Sequence, residues 1–169
     1  EFGASDQALL DYPVSFRDGL FDGQVVLISG GGSGLGKAMA ALFGRLGATV
    51  AICGRDADKL DEAKEFLEGA GISCWSRAMT IRDPKAVGEL IADLTAELGR
   101  LDTLVNNAGG QFPQAAIDFS VNGWNAVIDT NLNGSWYMMQ AAARHWQEQS
   151  RTGNIINIVA DIWRGLPQM

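Results

Sequence analysis

Gln24-Val25-Val26-Leu27-Ile28 followed by Ser29-Gly30-Gly31-Gly32-Ser33-Gly34-Leu35-Gly36 is an apolar run that ends in a glycine-rich turn and opens into a helical pattern. A buried strand that stops at residues without a Cβ lets the chain turn sharply, and the helix that follows presents its unpaired amides to an anion. The pattern therefore reads as a phosphate-binding turn of the dinucleotide type. Glycine alone would be weak evidence, because any tight strand-to-helix turn uses it and the chain holds 21 glycines. The flanking strand and helix supply the context.

After the turn, Leu35, Met39, Leu42, Phe43 and Leu46 fall on one helical face and Gly47 ends the pattern. Thr49-Val50-Ala51-Ile52-Cys53 is too short and too apolar for a helix and reads as a second buried strand. The unit then repeats. Arg55-Asp56-Ala57-Asp58 leads into a helix with Leu60, Ala63, Phe66 and Leu67 inward, closed by Gly69 and Gly71, and Ile72–Arg77 is the third strand. Asp83-Pro84 is an N-cap with proline at the first helical position. Val87, Leu90, Ile91, Leu94 and Leu98 make the stripe of that helix, and Leu101–Val105 is the fourth strand. Ser120 caps a long helical region that carries Val121, Trp124, Val127, Ile128 and Leu132 and continues through Trp136, Met139, Ala143 and Trp146, with a bend at Asn133 and Gly134. Asn154–Val159 is the fifth strand. Strands alternating with helices make an α/β fold, a doubly wound open parallel sheet covered on both faces.

At 169 residues with 47% hydrophobic content, one domain with a substantial core is expected. The formal charge of −7 argues against a nucleic-acid partner, which needs a basic stripe. No run approaches the roughly 20 apolar residues of a membrane span. The first residues lack the pattern of a secretion signal, which makes the cytoplasm the expected location. Cys53 and Cys74 have no spacing that suggests a metal or a redox pair, and no metal site is expected. Residues 1–22 read as an N-terminal arm, and 23–169 as a dinucleotide-binding domain that is incomplete at its C-terminal end, since no helix follows the fifth strand to cover it. For Leu9, Leu10, Tyr12, Val14 and Phe16 two alternatives are open: docking onto the domain or a neighbour, or solvation.

Four motifs in this order resemble the short-chain dehydrogenase/reductase family. They are the turn Ser29-Gly30 with Gly34-Leu35-Gly36, then Asn106-Asn107-Ala108-Gly109, then Asn131 within Asp129-Thr130-Asn131-Leu132, then Gly153-Asn154-Ile155-Ile156-Asn157-Ile158. The resemblance covers about residues 22–169 and implies a Rossmann-like sheet, a nicotinamide cofactor, hydride transfer to or from a small molecule, and a homo-oligomer, often a tetramer. It assigns Gly30, Ser33, Gly34, Leu35, Gly36, Asn107, Ala108 and Gly109 to cofactor binding and Asn131 to catalysis. Thr80-Ile81 stands where many relatives hold Asp-Val against the adenine. Asn106–Phe112 and Gly123–Val127 are similar to the trans-2-enoyl-CoA reductases, the 2,4-dienoyl-CoA reductases and relatives of citronellol/citronellal-dehydrogenase type, which implies a CoA thioester or isoprenoid substrate.

The departures from the family are informative. Ala160 occupies the place of its catalytic Ser, and its Tyr and Lys are expected beyond Met169. At the end of the second strand Gly54 stands where NAD-preferring members carry a ribose-binding carboxylate, and Arg55 beside it offers a fork of donors to a 2′-phosphate. NADP(H) is favoured over NAD(H), with Ser33 as a further hydroxyl to that phosphate. Asn131 has two open roles, bending its helix or holding a proton-relay water. His145 reads as a surface or subunit-contact residue, and Trp136, Met138 and Met139 as core or helix interface. Asp161, Trp163 and Arg164 follow the carboxyl end of the fifth strand, at the expected substrate mouth. The leading reading is an NADP(H)-dependent oxidoreductase acting on an enoyl thioester or an isoprenoid alcohol or aldehyde. The alternatives are a carbonyl reductase or alcohol dehydrogenase of the same family, and a non-catalytic cofactor-binding or scaffold protein.

Overall fold

The computed structural model describes residues 4–111 and 114–160. Five parallel strands, β1 (Val25–Ser29), β2 (Thr49–Gly54), β3 (Cys74–Ala78), β4 (Thr103–Asn106) and β5 (Asn154–Asn157), form one sheet in the order β3-β2-β1-β4-β5. Among the described residues six α-helices accompany them: α1 (Asp6–Asp11), α2 (Gly34–Arg45), α3 (Ala57–Gly69), α4 (Pro84–Leu98), α5 (Val121–Ile128) and α6 (Ser135–Glu148).

The alternation along β1 sorts the core into two layers. Val26 and Ile28 pack with Val50, Ile52 and Val105 against Ala40 and Ala41 of α2 and Leu60, Ala63 and Leu67 of α3. Val25 and Leu27 pack with Ala51, Cys53 and Leu104 against Val87, Leu90, Ile91 and Leu94 of α4 and Met138, Ala142 and Trp146 of α6. Helices on both faces account for strands that are apolar at every position rather than at alternate ones. Polar groups tie the layers at their ends. Asp102 Oδ2 accepts from Val25 N at 2.8 Å, and Trp146 Nε1 donates to the Leu101 carbonyl at 2.6 Å.

α4 follows its sequence pattern closely: Asp83 caps it through Lys85 N at 2.9 Å, and Gly99 closes it at φ +77°. α2 does so in part. Met39 and Phe43 pack against the core and Leu46 is buried, as the spacing implies, but Leu35 is 69% exposed and Leu42 lies at the surface. The fully buried residues of the helix itself are Gly36, Ala40 and Ala41, because small residues let its first turns approach the sheet closely.

The long helical region is continuous but not uniform. Between α5 and α6, Asp129–Gly134 forms a π-helical segment at the place where a bend was expected. α6 buries Met138, Ala142 and Trp146 at i, i+4, i+8, with Tyr137, Met139 and Ala141 packed beside them. Val121, Trp124, Leu132 and Trp136 are exposed, and so is Ala143. A helix with apolar residues on two faces buries only the one that meets the sheet.

The third strand begins at Cys74 rather than Ile72, because pairing with β2 starts at Val50↔Cys74; Ile72 is buried ahead of it. β5 pairs with β4 from Thr103↔Asn154 to Asn106↔Asn157 and ends at Asn157, although Ile158 N still donates to the Asn106 carbonyl at 2.9 Å. In the arm, α1 lies on α2. Arg45 donates to the carbonyls of Leu9 at 2.9 Å and Tyr12 at 2.8 Å, Lys37 pairs with Asp6 at 2.6 Å, and Leu9 and Phe21 pack against the core. Tyr12 and Phe16 are exposed.

Candidate functional site

The strand order reverses between β1 and β4, and there the two chain directions leave a crevice beyond the carboxyl ends of the strands. A cleft of about 670 Å³ fills it. Its floor is the glycine turn, with Gly30, Gly32 and Ser33; one end is Gly54, Arg55, Asp56 and Lys59 after β2; the far wall is Asn107, Ala108 and Gly109 after β4. Met79, Thr80, Ile81 and Arg82 after β3, with Thr130, close the side.

The turn is built by close approach. Gly30 takes φ +69°, and its N–H donates to the Cys53 carbonyl at 2.7 Å. A Cβ on Gly36 would run into the Gly30 carbonyl oxygen and would lie 2.7 Å from Asn107 Nδ2. The last residue of β1 completes the joint. Ser29 is fully buried, and its Oγ accepts from both Asn107 N and Ala108 N at 3.0 Å. Asn107 Nδ2 returns the contact to the carbonyls of Ser29 at 3.0 Å and Gly30 at 3.3 Å. Two hydrogen-bonded loops thus share one rigid corner. Sequence reasoning did not single out Ser29 as a site residue. Its signal was a lone hydroxyl ending an apolar strand directly before glycine, the kind of buried polar group that needs partners.

Asn131 is exposed and lies outside the cleft lining. Its side chain is nonetheless occupied. Oδ1 accepts from Gly110 N at 3.0 Å, while Nδ2 donates to the Gly110 carbonyl at 2.6 Å and to Val127 O at 3.0 Å. The amide therefore clamps the loop after β4 to the π segment. Gly34, at φ +52°, opens α2, and exposed Leu35 is outside the cleft lining. Ser33 precedes α2 without a side-chain capping bond, so its hydroxyl is not committed to its own helix.

Charge concentrates at the β2 end. Asp56 caps α3, and the N–H of Lys59, 3.2 Å away, followed by the Lys59 side chain, holds its carboxyl below the ordinary carboxylate range. Burial pushes the Cys53 thiol up to about 12. Arg82 Nε donates to Thr130 Oγ1 at 2.6 Å. Lys59, Arg82 and Thr130 went unnoticed in the sequence because each comes from a different segment. Asn106 is buried at the end of β4, where its Nδ2 donates to Asn157 Oδ1 at 2.9 Å.

His145 lies on α6 in a separate surface hollow with Thr95 and Arg151. Met138 is core, Met139 packs beside it, and Trp136 is 54% exposed. Ala160 is exposed, shortly after β5. Asp161, Trp163 and Arg164 lie outside the described residues, and the Tyr and Lys expected past Met169 lie outside the sequence. Among the described residues no cluster of His, Cys, Asp or Glu is arranged to hold a metal ion, and no helix is long and apolar enough to cross a membrane.

A parallel sheet wound in this order, with a glycine turn at the reversal of strand order, defines a Rossmann-like dinucleotide-binding fold. The family model for short chain dehydrogenases matches residues 24–162. The chain belongs to that family. A probable 2,4-dienoyl-CoA reductase of Bacillus subtilis is 40% identical over 139 residues, which cover 81% of this chain and 54% of that protein. The peroxisomal 2,4-dienoyl-CoA reductase of Arabidopsis thaliana is 36% identical, covering 87% of this chain and 52% of its own length. The chain thus spans about half the length of these curated relatives. Among solved structures, the citronellol catabolism dehydrogenase AtuB of Pseudomonas aeruginosa superposes with a TM-score of 0.86 at 38% identity, covering 94% of this chain and 64% of that one. A metagenomic short-chain oxidoreductase in complex with NADP superposes at 0.77 with 33% identity, covering 83% and 64%.

Proposed function

We propose that the protein binds NADP(H) in this cleft and transfers a hydride to or from an enoyl thioester or an isoprenoid alcohol or aldehyde. The observation that carries the cofactor reading is the pairing of Gly54, which brings no carboxylate, with exposed Arg55 at the end of a cleft floored by a glycine turn. The pyrophosphate would lie over Gly30, Ser33, Gly34 and the start of α2, where a helix N-terminus offers its unpaired amides. Arg55 would take the 2′-phosphate with Ser33 beside it, Thr80 and Ile81 would face the adenine, and Asn107, Ala108 and Gly109 would flank the nicotinamide ribose. When bound, the cofactor would supply the hydride in reduction and accept it in oxidation. Asn131, through Gly110, would hold the loop at that end.

The substrate reading rests on the names of relatives and on Ala160. Reduction of a simple carbonyl builds charge on its own oxygen and calls for a donor there, whereas conjugate reduction of an enoyl thioester moves that charge to the thioester oxygen. An apolar residue at the carbonyl-donor position suits the second case. The same Ala160 supports a second reading, a non-catalytic cofactor-binding protein. The exposed row Val121, Trp124, Leu132 and Trp136 supports a homo-oligomer. Light scattering of the full-length protein tests it, and a monomer at all concentrations would refute it.

Calorimetric titration of NADPH and NADH is the direct test. NADPH should bind at least about tenfold more tightly, and Arg55→Asp should reverse the order, since the change trades a charge-assisted donor for a repelling carboxylate. Equal affinities in both proteins would remove Arg55 as the selector. Side-by-side turnover of a trans-2-enoyl thioester and a ketone with NADPH then separates the substrate classes. Robust ketone turnover with an inert thioester would overturn the double-bond assignment. Tight cofactor binding with neither activity would favour the non-catalytic reading.

A further inference from the structure

The loop after β3 and the π segment are fastened to each other at two points. Ile81, 6% exposed, sits so close to the backbone of Gly134 that a Cβ there would lie 2.7 Å from Ile81 Cγ1. One residue on, Arg82 Nε donates to Thr130 Oγ1 at 2.6 Å, and that hydroxyl donates in turn to the Ala126 carbonyl at 2.9 Å. The same loop is held to the end of β2 by Met79 N, which donates to the Gly54 carbonyl at 2.7 Å. Thr130 adjoins Asn131, whose amide is clamped in both directions on Gly110. The π segment therefore touches the cleft's β3-side wall through Thr130 and its β4-side loop through Asn131. A π turn is a widened, weakly constrained stretch of helix, which makes its geometry depend on such outside contacts.

We infer that Arg82 is a positioning residue: its bond to Thr130 sets the π segment, and thereby the Asn131–Gly110 clamp, so that contacts at the adenosine end of the cleft strengthen binding at the far end. The inference rests on the dinucleotide reading of this cleft given above. It separates Arg82 from Arg55. Arg55 would act by touching the ligand, whereas Arg82 acts through Thr130 on a loop at the opposite wall. Thr130 is the better place to test it, because Thr130→Val keeps the side-chain shape and leaves the Arg82 charge in place.

The experiment compares two ligands on the full-length protein by calorimetry: NADPH, which spans the cleft, and adenosine 2′,5′-bisphosphate, which carries only the adenosine half. Thr130→Val should weaken NADPH by about fivefold and the half-ligand by less than about twofold, the size expected of a coupling carried by one hydrogen-bonded link. Arg82→Met should show the same excess loss for NADPH. The double variant should lose no more NADPH affinity than the worse single variant. Thr130→Ser, which keeps the hydroxyl, should bind both ligands as wild type does, and this rescue separates the link from general damage to the helix. Equal losses for the two ligands, losses that multiply in the double variant, or a Thr130→Ser protein as weak as Thr130→Val would each overturn the inference while leaving the cofactor reading intact. A wild-type protein that binds neither ligand would overturn both.

Discussion

β1 and β5 are both written as short apolar runs, lie parallel in the same sheet and are separated there only by β4. Their environments could hardly differ more. All five residues of β1 are buried, while all four of β5 are exposed, with Ile155 at 38% and Ile156 at 40%. β1 has a strand on each side and helices on both faces, whereas β5 pairs only with β4 among the described residues. Apolar character makes each segment a strand; the number of neighbours decides how much free energy its side chains contribute. The rigid corner of the cleft is built on the end of β1.

The contrast predicts its own largest effect. In the 169-residue chain, Leu27→Ala at the centre of β1 should destabilise the fold by about 3 kcal/mol or more, whereas Ile156→Ala in β5 should cost about 1 kcal/mol or less. Urea unfolding of the two variants measures both, and similar costs would show that β5 is packed as tightly as β1. Next in size is the corner itself. Ser29→Ala strands the part-buried N–H groups of Asn107 and Ala108 and should cost about 2 kcal/mol. It should also weaken NADPH, while Ser33→Ala, at an exposed position, should leave stability unchanged.

The two thiols extend the comparison to pH. Burial pushes Cys53 and Cys74 up to about 12 from 9.0. Above pH 9 the unfolded chain loses these protons while the folded chain keeps them, so unfolding is favoured and stability falls as pH rises from about 9 towards 12. Below pH 9 both states keep the protons and this contribution is flat. Iodoacetamide labelling of the native protein at pH 8 should reach half-buried Cys74 before Cys53, which should label only on unfolding. Cys53 labelling at the native rate of Cys74 would mean that the centre of the sheet opens as readily as its edge. The smallest effect belongs to the arm. Asp6→Ala removes an ion pair that is half exposed at Asp6, and should cost about 0.5 kcal/mol with no change in NADPH affinity.

Much of this architecture is legible in single stretches of chain. The turn from Ser29 to Gly36, the cap Asp83-Pro84 and the stop at Gly99 are local devices, set by backbone sterics and by hydrogen bonds between near neighbours, and each appears where its residues call for it. The stripe of α4 faces the sheet for the same reason: one face is apolar and the other is not. Strand order follows nearly as directly, since parallel strands with helical crossovers admit few arrangements.

Distance along the chain is where such reading stops. Leu35 and Trp136 are as apolar as Leu90, yet they are exposed, because a helix has several faces and only the packed assembly selects which one meets the sheet. Ser29 meets Asn107 across 78 residues, Arg82 meets Thr130 across 48, and Asn131 reaches Gly110 across 21. No spacing rule encodes those pairs. Local sequence determined the glycine turn, the helix caps and the alternation of strands and helices, because these depend on dihedral angles and neighbours a few residues away. Only the tertiary structure decided which polar groups share a corner and which apolar faces are buried, because hydrogen bonds and close packing act between atoms in contact, whatever their separation in sequence.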